Sequence, residues 1–179
     1  MKPPERIRAN PIVLRRYMPT DVDALLATVN ESLEHLRPWM PWAQQPNSRD
    51  GVAQFIARAD DGWRTGTDFN YAIWTTSEQE FVGGCGLHAR IGLGALEIGY
   101  WIAEKHTRRG FATAAARALT VAALKLPTIT RVEIHCDEAN VRSASIPRTL
   151  GYRLDRVQDD VIQTPNEIGR EMVWIIAKS

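Results

Sequence analysis

The sequence has little cysteine: two residues in 179, Cys85 and Cys136, far apart and each inside an apolar segment. That excludes a disulfide-built miniprotein and a C-x-x-C metal or redox motif, and both thiols read as small buried hydrophobes. Long apolar runs are also missing. The longest is six residues, Met172 to Ala177, against the roughly 20 that span a bilayer, so no membrane partner is expected. The opening Met1-Lys2-Pro3-Pro4-Glu5-Arg6 lacks an apolar stretch after its basic residue, and without a secretory signal the expected compartment is the cytoplasm. Nor is there an excess charge of one sign. Twenty-two Lys and Arg face twenty-one Asp and Glu, a formal charge of +1, so no nucleic-acid partner is expected and any acidic ligand must be met locally. The four histidines, His35, His88, His106 and His135, are scattered without an H-x-x-x-H partner, so no metal site is expected.

What remains is ordinary globular composition, 44% apolar and 24% charged, and at this length one domain over residues 1–179 with a sizeable core. Ile12 to Arg15 reads as a short strand. Thr20 and Asp23 form a capping-box-like start for a helix with Val22, Leu25, Leu26, Val29 and Leu33 at helical spacing. A loop with Pro38, Pro41, Pro46 and Asn47 follows, then a second stripe in Val52, Phe55, Ile56, Ala59 and Trp63. From Phe69 the period becomes two, giving three strands of an antiparallel meander: from Phe69, from Phe81 to His88, and from Leu96 to Ile102.

An alanine-rich helix over Phe111 to Leu126 is stopped by Pro127, and Arg131 to Cys136 returns as a strand. Strand, helix and strand make a crossover unit, which joins parallel neighbours. A short helix from Asn140 and strands over Tyr152 to Val157 and Glu171 to Ala177 close the chain. The expected class is mixed α/β (α+β): a mostly antiparallel sheet with one parallel pair.

Chemistry concentrates in the turn before the alanine-rich helix, Glu104-Lys105-His106-Thr107-Arg108-Arg109-Gly110-Phe111-Ala112-Thr113. A helix N-terminus offers unpaired N–H groups and partial positive charge. Gly110 and Ala112 let a ligand approach the backbone, and Arg108 and Arg109 add charge. An anion site is expected, at the C-terminal end of a strand that begins the crossover. Dinucleotide and nucleoside-triphosphate loops do not fit, since G-x-G-x-x-G and G-K-[ST] are both absent.

This loop, the segment Glu97-Ile98-Gly99-Tyr100-Trp101-Ile102, Asn140-Val141-Arg142-Ser143 with Leu150-Gly151-Tyr152, and Leu36-Arg37-Pro38-Trp39-Met40-Pro41-Trp42 together resemble the GNAT acyltransferase superfamily, in its RimJ/RimL-type branch of ribosomal-protein N-terminal acetyltransferases. The resemblance covers nearly the whole chain. It implies helices on both faces of a sheet whose parallel pair splays apart, and acetyl-CoA as acyl donor with no metal. The pyrophosphate would rest on the backbone of Arg109 to Thr113, and the pantetheine arm would pair with Trp101, Ile102 and Ala103. Gly99 would mark a bulge. Splayed strands leave N–H and C=O groups that pantetheine amides can satisfy.

The sequence departs from the family pattern at Thr107, Ala112 and Ala114. A larger departure is Pro147, where many members carry the tyrosine that protonates the leaving thiolate. The resemblance then points to Ser143 as that donor and to Asn140 as part of the cofactor site. Read locally, Asn140 is an N-cap and Ser143 a first-turn residue. Pro147 cannot bond the Ser143 carbonyl and either adjusts or stops the short helix. Glu97 shares a strand face with Gly99 and Trp101. By resemblance it is the general base; by position alone it is an exposed strand glutamate.

Base strength matters little for an α-amine of pKa near 7.8, about one-seventh neutral at pH 7, compared with about one in 2,500 for lysine. Trp39 and Trp42, in the proline-stiffened loop, are the candidate acceptor-binding residues. The expected function is an acetyl-CoA-dependent N-acetyltransferase that transfers directly, in a ternary complex, to a primary amine, above all the N-terminal α-amine of a peptide or protein such as a ribosomal protein. Two alternatives stay open. One is a small-molecule or antibiotic amine as acceptor, favoured if Glu31, Glu34, Asp50 and Asp60 gather at the channel mouth. The other is a non-catalytic acyl-CoA-binding regulatory domain. Relatives in this branch imply a homodimer.

Overall fold

The computed structural model describes residues 1–178. Eight strands form one sheet in the order β1-β2-β3-β4-β5-β6-β8-β7: β1 (Arg6–Ala9), β2 (Ile12–Arg16), β3 (Asp68–Thr75), β4 (Phe81–His88), β5 (Ala95–Ile102), β6 (Arg131–Asp137), β7 (Arg153–Asp159) and β8 (Arg170–Ala177). The helices are α1 (Val22–Glu31), α2 (Leu33–Leu36), α3 (Arg49–Thr65), α4 (Phe111–Leu124) and α5 (Val141–Thr149). Every neighbouring pair is antiparallel except β5 and β6. That is the mixed sheet the crossover reading requires. No helix among the described residues is long and apolar enough to cross a membrane.

Strand alternation sorts the core into two layers. Ile12, Leu14, Tyr71, Ile73, Leu87, Leu96 and Ile98 pack with Phe111, Ala115, Ala116, Leu119 and Ala123 of α4. The small alanines bring the helix axis close to the strands. Ala72, Trp74 and Phe81 pack on the other face with Val22, Leu25 and Val29 of α1 and Val52, Ile56 and Ala59 of α3. Helices therefore cover both faces, as expected.

Three local expectations change. β1 is a strand the alternation argument passes over, because four residues with two arginines lack an apolar stripe. Its Arg6 lies directly opposite Arg15, and Glu78 bridges both guanidinium groups, offsetting a like-charge pair that would otherwise destabilise the hairpin. The start of α1 uses Asp21 rather than Thr20 and Asp23. Asp21 accepts from the Met18 N–H at 2.8 Å and from both terminal nitrogens of Arg15 at 2.8 Å, in a buried fork that ties β2 to the helix. No register shift occurs at Gly99, which lies opposite Gly86 in a continuous β4–β5 ladder, so the expected bulge is absent.

The parallel seam positions the site. β5 and β6 pair only as Ala95–Arg131, Leu96–Val132 and Glu97–Glu133. Beyond Glu97 the two strands no longer pair with each other, though each keeps its outer neighbour, and the resulting wedge opens toward α4 and α5.

Candidate active site

A cleft of about 590 Å³ occupies the open end of that wedge, within the usual range for ligand sites. Its walls are the C-terminal half of β5, the first turns of α4 and α5, and the loop after α2. Of the residues singled out in the sequence, Trp39, Trp101, Ile102, Arg108, Gly110, Phe111, Ala112, Thr113, Asn140 and Ser143 line it. Glu97, Ala103, Arg109 and Trp42 do not.

The loop before α4 is shaped as an anion cradle. Arg108 (φ 61°) and Gly110 (φ 77°) are both left-handed. Such a conformation costs an arginine on the order of 1–3 kcal/mol. The first helical hydrogen bond runs from the Ala114 N–H to the Gly110 carbonyl at 2.9 Å, so the N–H groups of Phe111, Ala112 and Thr113 have no helical acceptor. A Cβ on Gly110 would meet nothing within 4 Å; its positive φ, rather than crowding, accounts for the glycine.

Arg109 turns away from the cradle. Its guanidinium stacks on Phe111, 4.7 Å from the ring centroid, and donates to His106 Nδ1 at 3.1 Å. Because Nδ1 accepts, the ring proton sits on Nε2. That Nε2 is buried without a partner among the described residues, on a ring that lines the cleft. Burial lowers the His106 pKa, with Arg109 and Lys105 adding to the effect against Glu80, so the ring stays a neutral donor.

The Ala103 expectation is corrected by its backbone. The N–H donates to the Val82 carbonyl and the carbonyl accepts from the His106 N–H, each at 2.9 Å, and the residue is fully buried. By strand alternation it is Tyr100 and Ile102 that turn their backbone groups to the open edge.

Across the wedge, the Tyr100 hydroxyl lies 3.1 Å from both the Ser143 carbonyl and the Ser143 Oγ. Asn140 caps α5 by accepting from the Ser143 N–H at 3.1 Å. Pro147 sits inside α5, which continues to Thr149, so it does not stop the helix. It leaves the Ser143 carbonyl without its helical donor, and Tyr100 supplies that bond. With its proton committed to the carbonyl, the Tyr100 oxygen accepts from Ser143 Oγ–H and so orients the serine proton. Burial raises the Tyr100 pKa well above the phenol range, against the Ser143 hydrogen bond, so the phenol stays protonated. Sequence periodicity assigned Tyr100 to the apolar face. The overlooked signal was a hydroxyl among Leu96, Ile98 and Ile102, because a buried tyrosine needs a polar partner.

Glu97 was expected at the reacting centre, and the structure places it elsewhere. It lies at the closed apex of the wedge, where Arg90 Nε and Nη2 donate to its two oxygens at 2.8 and 2.5 Å. Burial pushes its pKa up, but the Arg90 hydrogen bond and charge, with His135 and His88, outweigh that and leave it below the usual carboxylate value. Its partner across the seam, Glu133, accepts from Arg131 Nε at 2.6 Å and faces His135 Nε2 at 2.8 Å. Both carboxylates are held by a guanidinium, which favours the charged form and lowers basicity, and this is the physical reason neither suits proton abstraction.

Trp42 packs edge-on against Trp101 with centroids 5.6 Å apart, outside the cleft lined by Trp39. Only Glu34 of the four acidic residues considered lines the cleft; Asp60 is paired with Arg16 and Glu31 faces Lys105.

The sequence profile of the acetyltransferase (GNAT) domain matches residues 12–153. YdaF of Bacillus subtilis (strain 168), whose name proposes a ribosomal N-acetyltransferase, is 28% identical over 148 residues, 79% of this chain and 77% of YdaF. The fold superposes with a TM-score of 0.88 on RimL, a ribosomal L7/L12 α-N-protein acetyltransferase in complex with coenzyme A, at 20% identity over 97% of this chain and 98% of RimL. The same score is reached with MccE, a microcin C7 self-immunity acetyltransferase in complex with acetyl-CoA and AMP, at 18% identity over 97% of each chain. Mycobacterium smegmatis RimJ, in complex with a CoA disulfide, gives 0.86 at 21% identity over 99% of this chain and 90% of RimJ.

Proposed function

The chain belongs to the GNAT acetyltransferase family, and from that premise we propose that this N-acetyltransferase takes acetyl-CoA as donor and acts directly, in a ternary complex, on the N-terminal α-amine of a protein such as a ribosomal protein. The observation that carries this reading is the wedge: the one parallel seam among the described residues stops pairing after three residues and opens onto the unbonded amides of α4. The likeness to YdaF supports a ribosomal-protein acceptor. The equal likeness to RimL and MccE is a likeness of fold, so it does not choose an acceptor. The acidic residues that would recognise a polycationic drug are not gathered at the cleft, which weighs against that class of amine.

The residues present fit the donor. The Phe111, Ala112 and Thr113 amides and Arg108 would hold the diphosphate, and His106 Nε2–H offers a further buried donor. The open backbone edge of Tyr100 and Ile102, beside Trp101 and Asn140, would hold the pantetheine arm. When bound, acetyl-CoA supplies an activated carbonyl and a thiolate leaving group. Ser143 Oγ–H, held opposite Tyr100, gives the sulfur its proton. Trp39 borders the acceptor end, and Trp42 stiffens it through Trp101. Glu97 is a positioning residue that keeps the apex closed.

The test is to incubate the protein with acetyl-CoA and a panel of peptides and small amines while following free thiol release. Turnover on peptides with a free α-amine, and none on their N-acetylated forms, supports the reading. Turnover only on small amines favours the metabolite or drug acceptor, and CoA binding without turnover favours a regulatory domain.

A further inference from the structure

On the sheet face opposite α4, His88 ends β4 beside Glu97. Its Nδ1 lies 2.7 Å from Asp68 Oδ1 on β3. The ring lies along the sheet over two glycines: a Cβ on Gly86 would meet His88 Nε2 at 2.9 Å, and one on Gly99 would meet it at 3.3 Å. Gly99 is two residues past the last β5–β6 pair, so the imidazole, although like Glu97 it does not itself line the cleft, extends from the closed apex toward where the strands begin to part. With the Asp68 carboxylate accepting at Nδ1, that nitrogen carries the proton and Nε2 keeps its lone pair. Nε2 has no hydrogen-bond partner among the described residues, and the side chain is 17% exposed. It is an oriented proton acceptor on a partly exposed side chain, with no hydrogen bond at its free nitrogen.

We propose that His88, oriented by Asp68, is the general base that removes a proton from the acceptor ammonium, a role resting on the acetyl-transfer reading above. One ammonium proton passes to Nε2 and then to water. The amine lone pair forms the C–N bond to the acyl carbon as the C–S bond breaks, and the sulfur keeps that electron pair and is protonated from Ser143. The amine's second proton restores Ser143, so charge and protons balance. Glycine at 86 and 99 follows from the need to lay an imidazole flat across two strands. Asp68 on β3 is bonded to the ring and Glu97 on β5 lies opposite it in register, with Arg90 bound to Glu97; across the seam, Glu133 pairs in register with Glu97 and His135 acts electrostatically on it.

The experiment compares wild type, His88→Ala, His88→Gln and Asp68→Asn in acetyl transfer to a peptide between pH 6 and 9, with CoA affinity measured by calorimetry. His88→Ala should lower kcat/KM for peptide by about 7-fold at pH 7, the factor set by the neutral fraction of an α-amine, and by less than about 2-fold at pH 9, where the amine is already neutral. Added imidazole should restore part of the rate, and the Kd for CoA should stay within about 2-fold. Asp68→Asn should show a smaller loss with the same pH trend, and it keeps the test available if the His88 variants fold poorly. In 1H–15N spectra of wild type, His88 should show the Nδ1–H tautomer, and its Nε2 signal should shift with a free-amine peptide but not with the N-acetylated one. Wild-type rates and pH profile in all three variants, an unmoved Nε2 signal, or CoA affinity falling in step with rate would each overturn the assignment while leaving acetyl transfer in place. A wild type inert on every amine would sink the parent reading, and this one with it.

Discussion

The two halves of the β5–β6 seam are built from the same two strands and treat polar groups in opposite ways. In the closed half, over Ala95–Glu97 and Arg131–Glu133, every carboxylate has a guanidinium: Glu97 has Arg90 and Glu133 has Arg131. In the open half the polar groups are unfinished. The α4 amides lack acceptors and His106 Nε2 lacks a partner, while the Ser143 Oγ–H rests on the Tyr100 oxygen. A search for paired carboxylates thus points to the wrong half. The half with unsatisfied hydrogen-bonding capacity is where a ligand gains free energy that water cannot fully match.

The most direct way to break that contrast is to satisfy the open half artificially. Ala112→Asp places a carboxylate on the first turn of α4, where it complements the helix dipole and should raise stability by a few tenths of a kcal/mol. The same charge stands where phosphate should sit. CoA affinity by calorimetry should fall by about 100-fold or more, while the melting temperature holds or rises. Unchanged affinity would mean that the cradle is an ordinary helix end.

Most of the frame was readable in the chain, because period-two and period-3.6 patterns are long there and the crossover leaves one parallel pair. The cradle was readable too, as Gly110 and Ala112 sit at a strand-to-helix turn. What failed has a common physical cause. Ala103 and Arg109 look available in one dimension, but their groups are consumed by Val82, His106 and Phe111. Glu97 looks free until Arg90 folds back from the β4–β5 turn. The dyad of Asp68 and His88, twenty residues apart, has no linear signature, because strand register alone brings it together.

Two substitutions sharpen the contrast from either side of the apex. In the open half, Ser143→Ala should lower kcat about 30-fold with CoA affinity within about 2-fold, since it removes a proton donor and little packing. In the closed half, Glu97→Gln should leave turnover within about 3-fold but cost about 2 kcal/mol of stability at pH 7 in urea unfolding. The sign of its pH dependence follows from the lowered Glu97 pKa. A carboxylate whose folded pKa lies below its unfolded value, about 4.3, contributes fully above that value and loses the contribution as pH falls through the folded pKa. The gap between wild type and Glu97→Gln should therefore be widest near neutrality and close below about pH 4. A large rate loss with no stability change would exchange the roles assigned to the two halves.

The finest probe lies where backbone and site meet, at Tyr100 and Pro147. Tyr100→Phe strips the Ser143 carbonyl of its donor and should cost about 1 kcal/mol, because Pro147 offers no N–H in its place. Pro147→Ala returns the helical N–H to that carbonyl. Its own effect on stability mixes relief of a helix-interior proline with the loss of a buried ring, so the single variant decides nothing. The double-mutant cycle does decide. If the hydroxyl substitutes for the missing helical bond, Tyr100→Phe should cost close to nothing once alanine is at 147, a coupling of about 1 kcal/mol. Additive costs would mean that Tyr100 is only a core aromatic, and that the orientation of the Ser143 hydroxyl does not depend on the proline.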